Sequence, residues 1–145
     1  VVDLQGSEDN GRVINSTSHS NFSEWIDEVI NLDAFVNSLR VSLYNALTSV
    51  PTKLPQTPAG QQILIAAANE VGQQYIDNNY LGPRTITDPD DGKQKTTVGY
   101  EILTQPEDIL TLSAADREAR KSAPIKMRIY QAGAIQHVDV TVDVY

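Results

Sequence analysis

Side chains able to do chemistry are sparse in these 145 residues, and their spacing is wrong for most of it. His19 and His137 stand far apart. Neither sits in a helical His-x-x-x-His pair, and the chain has no cysteine to complete a zinc set. Ser18 and Ser20 flank His19, but adjacency in sequence is not the geometry of a nucleophile and its base. Asp27 and Glu28 are consecutive, so a helix would point them to different faces, which does not suit paired acid–base work. Gly72, Gly82 and Gly99 are isolated, and no glycine-rich loop cradles a phosphate. The acids of "DPDDG" invite a calcium loop. Counted from Asp88, however, the fifth position is Gly92, the sixth Lys93 and the twelfth Gly99, where acid, glycine and glutamate are required. "DPDDG" therefore reads as a turn. The expectation is a protein that is not an enzyme, with no catalytic residues, metal or cofactor.

Charge carries more information. The net charge of −8 argues against a general nucleic-acid binder, whose affinity rests on neutralised phosphates. Yet Arg117, Arg120, Lys121, Lys126 and Arg128 crowd into residues 117–128 against the single acid Glu118, a local net of +4 that leaves −12 for the rest. Five of the eleven basic residues thus sit in twelve positions, a local feature to be explained, for which an ordinary solvated face is the plain alternative to a contact surface. No apolar run is long enough to span a membrane. The lack of cysteine fits a reducing compartment.

Periodicity supplies the elements that must position these residues. Residues 1–21 are rich in Gly, Ser, Asn and Asp, lack an initiator methionine, and read as a linker or lead-in from an upstream domain. Residues 22–145 read as one domain. Asn21 and Glu24 resemble a capping box, and Trp25, Val29, Leu32, Val36, Leu39, Leu43 and Leu47 form one helical stripe, ended by Pro51 and Pro55. Thr57 and Pro58 start a second helix, with Leu64, Ala67, Ala68, Val71, Tyr75 and Ile76 on its buried side. Ile86, Val98, Tyr100 and Ile102 suit short strands around the "DPDDG" turn, and "EDIL" after Pro106 a helix start or turn. "SAADREARKSAP" predicts a capped helix of about ten residues from Ser113, with little but Ala115 and Ala119 to bury. Two alternating strands follow, Ile125–Tyr130 and Ile135–Val144, with "AGA" at 132–134 as a turn or bulge. His137 on the second reads as a surface or interface residue. The fold class expected is α+β: a long helical hairpin on a small, mostly antiparallel sheet, plus a short basic helix before the C-terminal strands.

The block "SAADREARKSAPIKMRIYQAGAIQHVDVTVDVY" resembles the C-terminal end of tail-sheath proteins from contractile-tailed bacteriophages. "EWIDEVINLDAFVNSLRVSLYNALTSVPTKLPQTPAG" is similar to that family's long helix and its Pro-Gln-Thr connection. The likeness covers residues 22–145, is weak over 82–112 and is absent before Phe22. It implies a structural virion protein, assembled in the bacterial host cytoplasm, whose partners are neighbouring sheath subunits and the tail tube. It implies no nucleic-acid partner and no membrane contact by this domain. By position, Ile135, Val138, Val140, Val142 and Val144 would form an intersubunit strand, and Arg117, Arg120 and Lys121 would face the tube. The family's N-terminal arm and larger outer part are not represented here, so the isolated piece is expected to stay monomeric or assemble wrongly. The alternative is a non-enzymatic adaptor or secretion-system assembly module that binds a partner with the same strand. Physical chemistry favours a strand in either role: four valines on one face reward pairing, and an unpaired edge is otherwise an aggregation hazard.

Overall fold

The computed structural model describes residues 3–5, 12–14, 26–133, 135 and 138–142. His19, Asn21, Glu24, Trp25, His137 and Val144, singled out above, lie outside the described residues. Within the stretch read as a lead-in, β1 (Asp3–Gln5) and β2 (Arg12–Ile14) pair as a short antiparallel ribbon.

The architecture is α+β. Helix α1 (Ile26–Thr48) carries Asp27 and Glu28 in its first turn, where carboxylates favour the helix dipole. Helix α2 (Pro58–Asp77) starts as its sequence dictates: Thr57 is extended, its Oγ1 accepts from the Gly60 amide at 3.3 Å, and Pro58 opens the first turn. The two helices pack as a hairpin through small residues. Ser38 Oγ lies 2.8 Å from the Tyr75 hydroxyl, and Ser42 Oγ donates to the Ala67 carbonyl at 3.4 Å.

This packing corrects the reading of α1. Phe35, outside the expected stripe, is its one buried residue, whereas Leu32, Val36 and Leu47 of the stripe remain 40%, 37% and 50% exposed. Leu39 of the stripe does pack against the core and Val29 and Leu43 are half-buried, so the buried face is turned toward Phe35 and Leu39 and leaves Leu32, Val36 and Leu47 to its side. On α2 the expectation matches, with Leu64, Ala68, Val71 and Tyr75 buried.

Two short antiparallel strand pairs follow. Strands β3 (Arg84–Thr87) and β4 (Gln94–Thr97) form a hairpin closed by Asp88–Gly92. The Gly92 amide donates to the Asp88 carbonyl at 2.9 Å, and the Asp88 and Asp91 carboxylates accept from the Asp90 and Lys93 amides at 3.0 Å each. Gly92 takes φ +70°, a value that favours glycine. Val98, expected in a strand, lies beyond β4 and is exposed. Strand β5 (Tyr100–Ile102) pairs with β6 (Met127–Ile129), setting Glu101 opposite Arg128. Ile125–Tyr130 and the described part of the chain's last stretch do not pair with each other. Among the described residues β6 finds its partner in β5, and 135 and 138–142 belong to no strand.

That pairing follows from the core. Phe35, Val71, Tyr75, Tyr80 and Leu81 cluster, with Tyr100, Met127 and Ile129 packed against them. The Phe35 and Tyr75 rings meet edge-on at 5.2 Å. Gly72 makes room for the sheet, because a Cβ there would stand 2.7 Å from the Tyr100 ring. The 3-10 helix Pro106–Thr111 covers the N-terminal part of α2 and buries Ile109.

Candidate functional site

Two surfaces gather the residues singled out in the sequence. The first surrounds α3 (Ala114–Glu118), which has five helical residues rather than about ten and buries none; Ala115 and Ala119 are exposed. Ser113 caps it, with Oγ accepting from the Asp116 amide at 3.1 Å. It stops because Arg120 takes a left-handed φ of +55°. Polar bonds, not apolar packing, hold this turn. Arg117 Nη2 donates to the carbonyls of Ile109 and Leu110, both at 3.1 Å, and so closes the end of the 3-10 helix. Lys121 Nζ pairs with Asp116 at 3.0 Å, and Ser113 Oγ lies 2.8 Å from the same carboxylate. The Ser113 bond first and Lys121 second hold the Asp116 carboxyl below its usual range.

The next residues are strapped to the body by side chains the sequence reading passed over. Gln61, fully buried, forms a two-way amide bond with Ala123: Nε2 donates to its carbonyl at 3.2 Å and Oε1 accepts from its amide at 3.3 Å. Gln56 Nε2 donates to the Lys121 carbonyl at 2.8 Å. Thr104 Oγ1 donates to the Pro124 carbonyl at 2.8 Å and accepts from the Lys126 amide at 2.7 Å. A signal was available. Gln61 falls in register with Leu64, Ala68, Val71 and Tyr75, and a polar side chain on a buried stripe implies a specific partner. Beside this strap, Leu47, Leu54, Leu64 and Ile109 line a cavity of about 60 Å³ with Arg120 and Lys121.

The basic cluster is therefore partly internal. Arg128 Nη1 reaches Glu101 at 3.4 Å, and the Tyr130 hydroxyl donates to the same carboxylate at 3.0 Å. Lys95 Nζ bridges Glu101 and Asp88 at 2.5 and 2.7 Å, tying the β3–β4 hairpin to the β5–β6 sheet. The Lys95 bond is the main reason that both carboxyls lie below their ordinary values, and the two carboxylates push Lys95 up. Among the described residues, Arg120 and Lys126 have exposed side chains with no hydrogen-bond or ion-pair partner.

The second surface is the chain's last stretch. Ile135, Val138, Val140 and Val142 are 86%, 71%, 78% and 76% exposed. Isolated surface valines are ordinary, but four large apolar residues within eight positions are not.

The remaining cavities offer less chemistry. A groove of about 600 Å³ between α1 and α2 is lined by Ser38, Ser42, Asn45, Glu70 and Gln74, with a single carboxylate. Among the described residues no three His, Asp or Glu side chains gather as metal ligands, and no helix is long and apolar enough to cross a membrane.

A family model described as E217 tail sheath protein gp31-like, C-terminal domain, matches residues 26–144, from the first residue of α1 onward. No curated protein matches the chain.

Proposed function

Because the chain belongs to the tail-sheath C-terminal domain family, we propose that it works by two interfaces of opposite character, a strand that links sheath subunits and a basic turn that meets the tail tube. It is a structural, non-enzymatic part of the virion's contractile tail, put together in the bacterial host cytoplasm. The exposed valine segment carries this reading. Ile135, Val138, Val140, Val142 and, in sequence, Val144 gain about 1.5–3 kcal/mol each when fully buried. Backbone bonds from a neighbouring subunit's sheet supply the rest, and the valine face fixes register, since a one-residue slip would expose it. Such a link can persist while subunits rotate about flexible connections.

The tube contact follows other rules. Arg120 and Lys121 project from the turn after α3, while Arg117 reaches the tube only as far as its bonds to the 3-10 helix allow. An exposed ion pair contributes about 0.2–1 kcal/mol and is screened by salt. Repeated along a tube, such pairs sum, yet each releases readily. A sheath needs that asymmetry to leave its tube without falling apart.

Deletion of residues 135–145 from the full-length sheath protein is expected to abolish polymerisation into tubular sheaths, seen by electron microscopy. Normal tubes from the deleted protein would overturn the linking role.

A further inference from the structure

Resting on the strand-linking reading above, we infer that the outer edge of β6, from Met127 to Gln131, is the acceptor for residues 138–142 of a second copy of this chain. The hydrogen-bond parity of the sheet points to this edge. The Leu103 amide donates to the Lys126 carbonyl at 2.9 Å, and the Tyr130 amide to the Gly99 carbonyl at 2.8 Å. Residues 126, 128 and 130 therefore turn their backbone groups toward β5. Beyond β5 the same side is continued by 80–82: the Gly82 amide donates to the Tyr130 carbonyl at 3.2 Å, and the Ala132 amide to the Tyr80 carbonyl at 2.8 Å. All of these bonds lie on one side of β6. The N–H and C=O groups of Met127, Ile129 and Gln131 alternate to the other side, where no described strand lies.

Side chains select this edge over its competitors. Along the donor, Val138, Val140 and Val142 share one face and Asp139 and Thr141 the other. Along β6, Met127 and Ile129 face the core cluster, while Lys126 and Arg128 take the opposite face. A strand laid beside β6 with its valines next to Met127 and Ile129 sets its acid beside the two bases. On the outer edge of β5 the same strand would set that acid beside Glu101. The β3–β4 hairpin offers Thr85, Thr87, Gln94 and Thr96 on one face and, among Arg84, Lys95 and Thr97 on the other, the single apolar side chain of Ile86, and so little apolar surface for valines.

The absence of cysteine makes the assignment testable by oxidative crosslinking. Lys126→Cys and Thr141→Cys are placed in separate preparations of the full-length sheath protein, with any cysteine outside these 145 residues replaced, then mixed, assembled into sheath and oxidised. The Lys126/Thr141 mixed disulfide is expected to form about tenfold more than that between Leu103→Cys, on β5's side, and Thr141→Cys. Ile129→Pro removes one outward N–H and spares the bonds at Arg128 and Tyr130. In the Lys126→Cys preparation it should lower the yield about tenfold, with circular dichroism unchanged. Should that variant fail to fold, the crosslink comparison decides alone. Preferential crosslinking at Leu103, or none at either position, overturns the β6 assignment. If deletion of 135–145 still abolishes tubes in that case, strand linkage survives with another acceptor. Closure of both cysteines within one doubly substituted chain, with no mixed product, would show self-pairing and overturn the β6 acceptor for a second copy.

Discussion

At the scale of single residues, the polar side chains that hold backbone are the ones with most at stake. Replacing Gln61 with Leu keeps the volume near that of the native side chain but strands the amide and carbonyl of Ala123 in a buried place. The expected loss is about 1–3 kcal/mol in urea unfolding, and wild-type stability would show that the strap is incidental. Arg120 gives the opposite sign. Its left-handed φ disfavours a side chain with a Cβ, so Arg120→Gly should stabilise the fold by about 0.5–1 kcal/mol while removing an exposed charge of the turn. Gained melting temperature with weakened tube association would mark strain kept for contact; a loss of stability would refute the argument. Lys95 ties two acids whose carboxyls it holds below their usual range. For a lowered carboxylate the contribution is full above the unfolded value, about pH 4, and disappears as pH falls through the folded one. Lys95, shifted upward, contributes fully below about pH 10.4 and loses its share only above it. Lys95→Met should therefore lower the urea midpoint at pH 7 and flatten its fall between about pH 4 and pH 2. An unchanged acid slope would exclude the cluster as its source.

At the scale of elements, the parts most legible in the sequence are those with a local cause. Thr57 and Pro58 fix where α2 begins, Pro51 and Pro55 lie beyond the end of α1, and Asp88–Gly92 closes its turn through its own side chains and a positive φ. What the sequence concealed depends on contacts far apart along the chain. Periodicity marked a leucine stripe on α1, but the choice of face was made by Ser38 and Ser42 meeting Tyr75 and Ala67 on α2. Met127 and Ile129 alternate whatever strand they pair with, so pattern alone could not choose β5 over the chain's end. Alanine propensity predicted a longer α3, yet five residues suffice because Arg117 within the helix and Lys121 just beyond it hold the turn by side-chain bonds. Arg117 separates these roles. Arg117→Met should loosen the 3-10 helix and α3, raising amide exchange over 108–118, whereas Arg120→Glu should leave exchange unchanged. Equal protection in both variants would return Arg117 to the role of a plain surface charge.

At the scale of the whole molecule, the two proposed interfaces differ in what salt can do to them. Burial of valines and pairing of backbone groups depend weakly on ionic strength, while exposed charges more than about 10 Å apart are screened at 0.1 M. The body around each surface suits that division. The strap of Gln56, Gln61 and Thr104 fixes the basic turn to α2, to the residue pair before that helix and to the segment after β5, so the proposed tube-facing charges stand on a frame held by side-chain bonds. The valine segment follows β6 after residues 130–134, and its described apolar side chains, Ile135, Val138, Val140 and Val142, are exposed, which suits the proposed link to a neighbour. Raising salt from about 0.05 M to 0.5 M should therefore strip assembled sheath from its tube while the sheath stays intact as an empty cylinder. Arg120→Glu with Lys121→Glu should produce the same empty cylinders at low salt. Subunits that scatter on salt addition, with the tube still decorated, would reverse the assignment of the two surfaces.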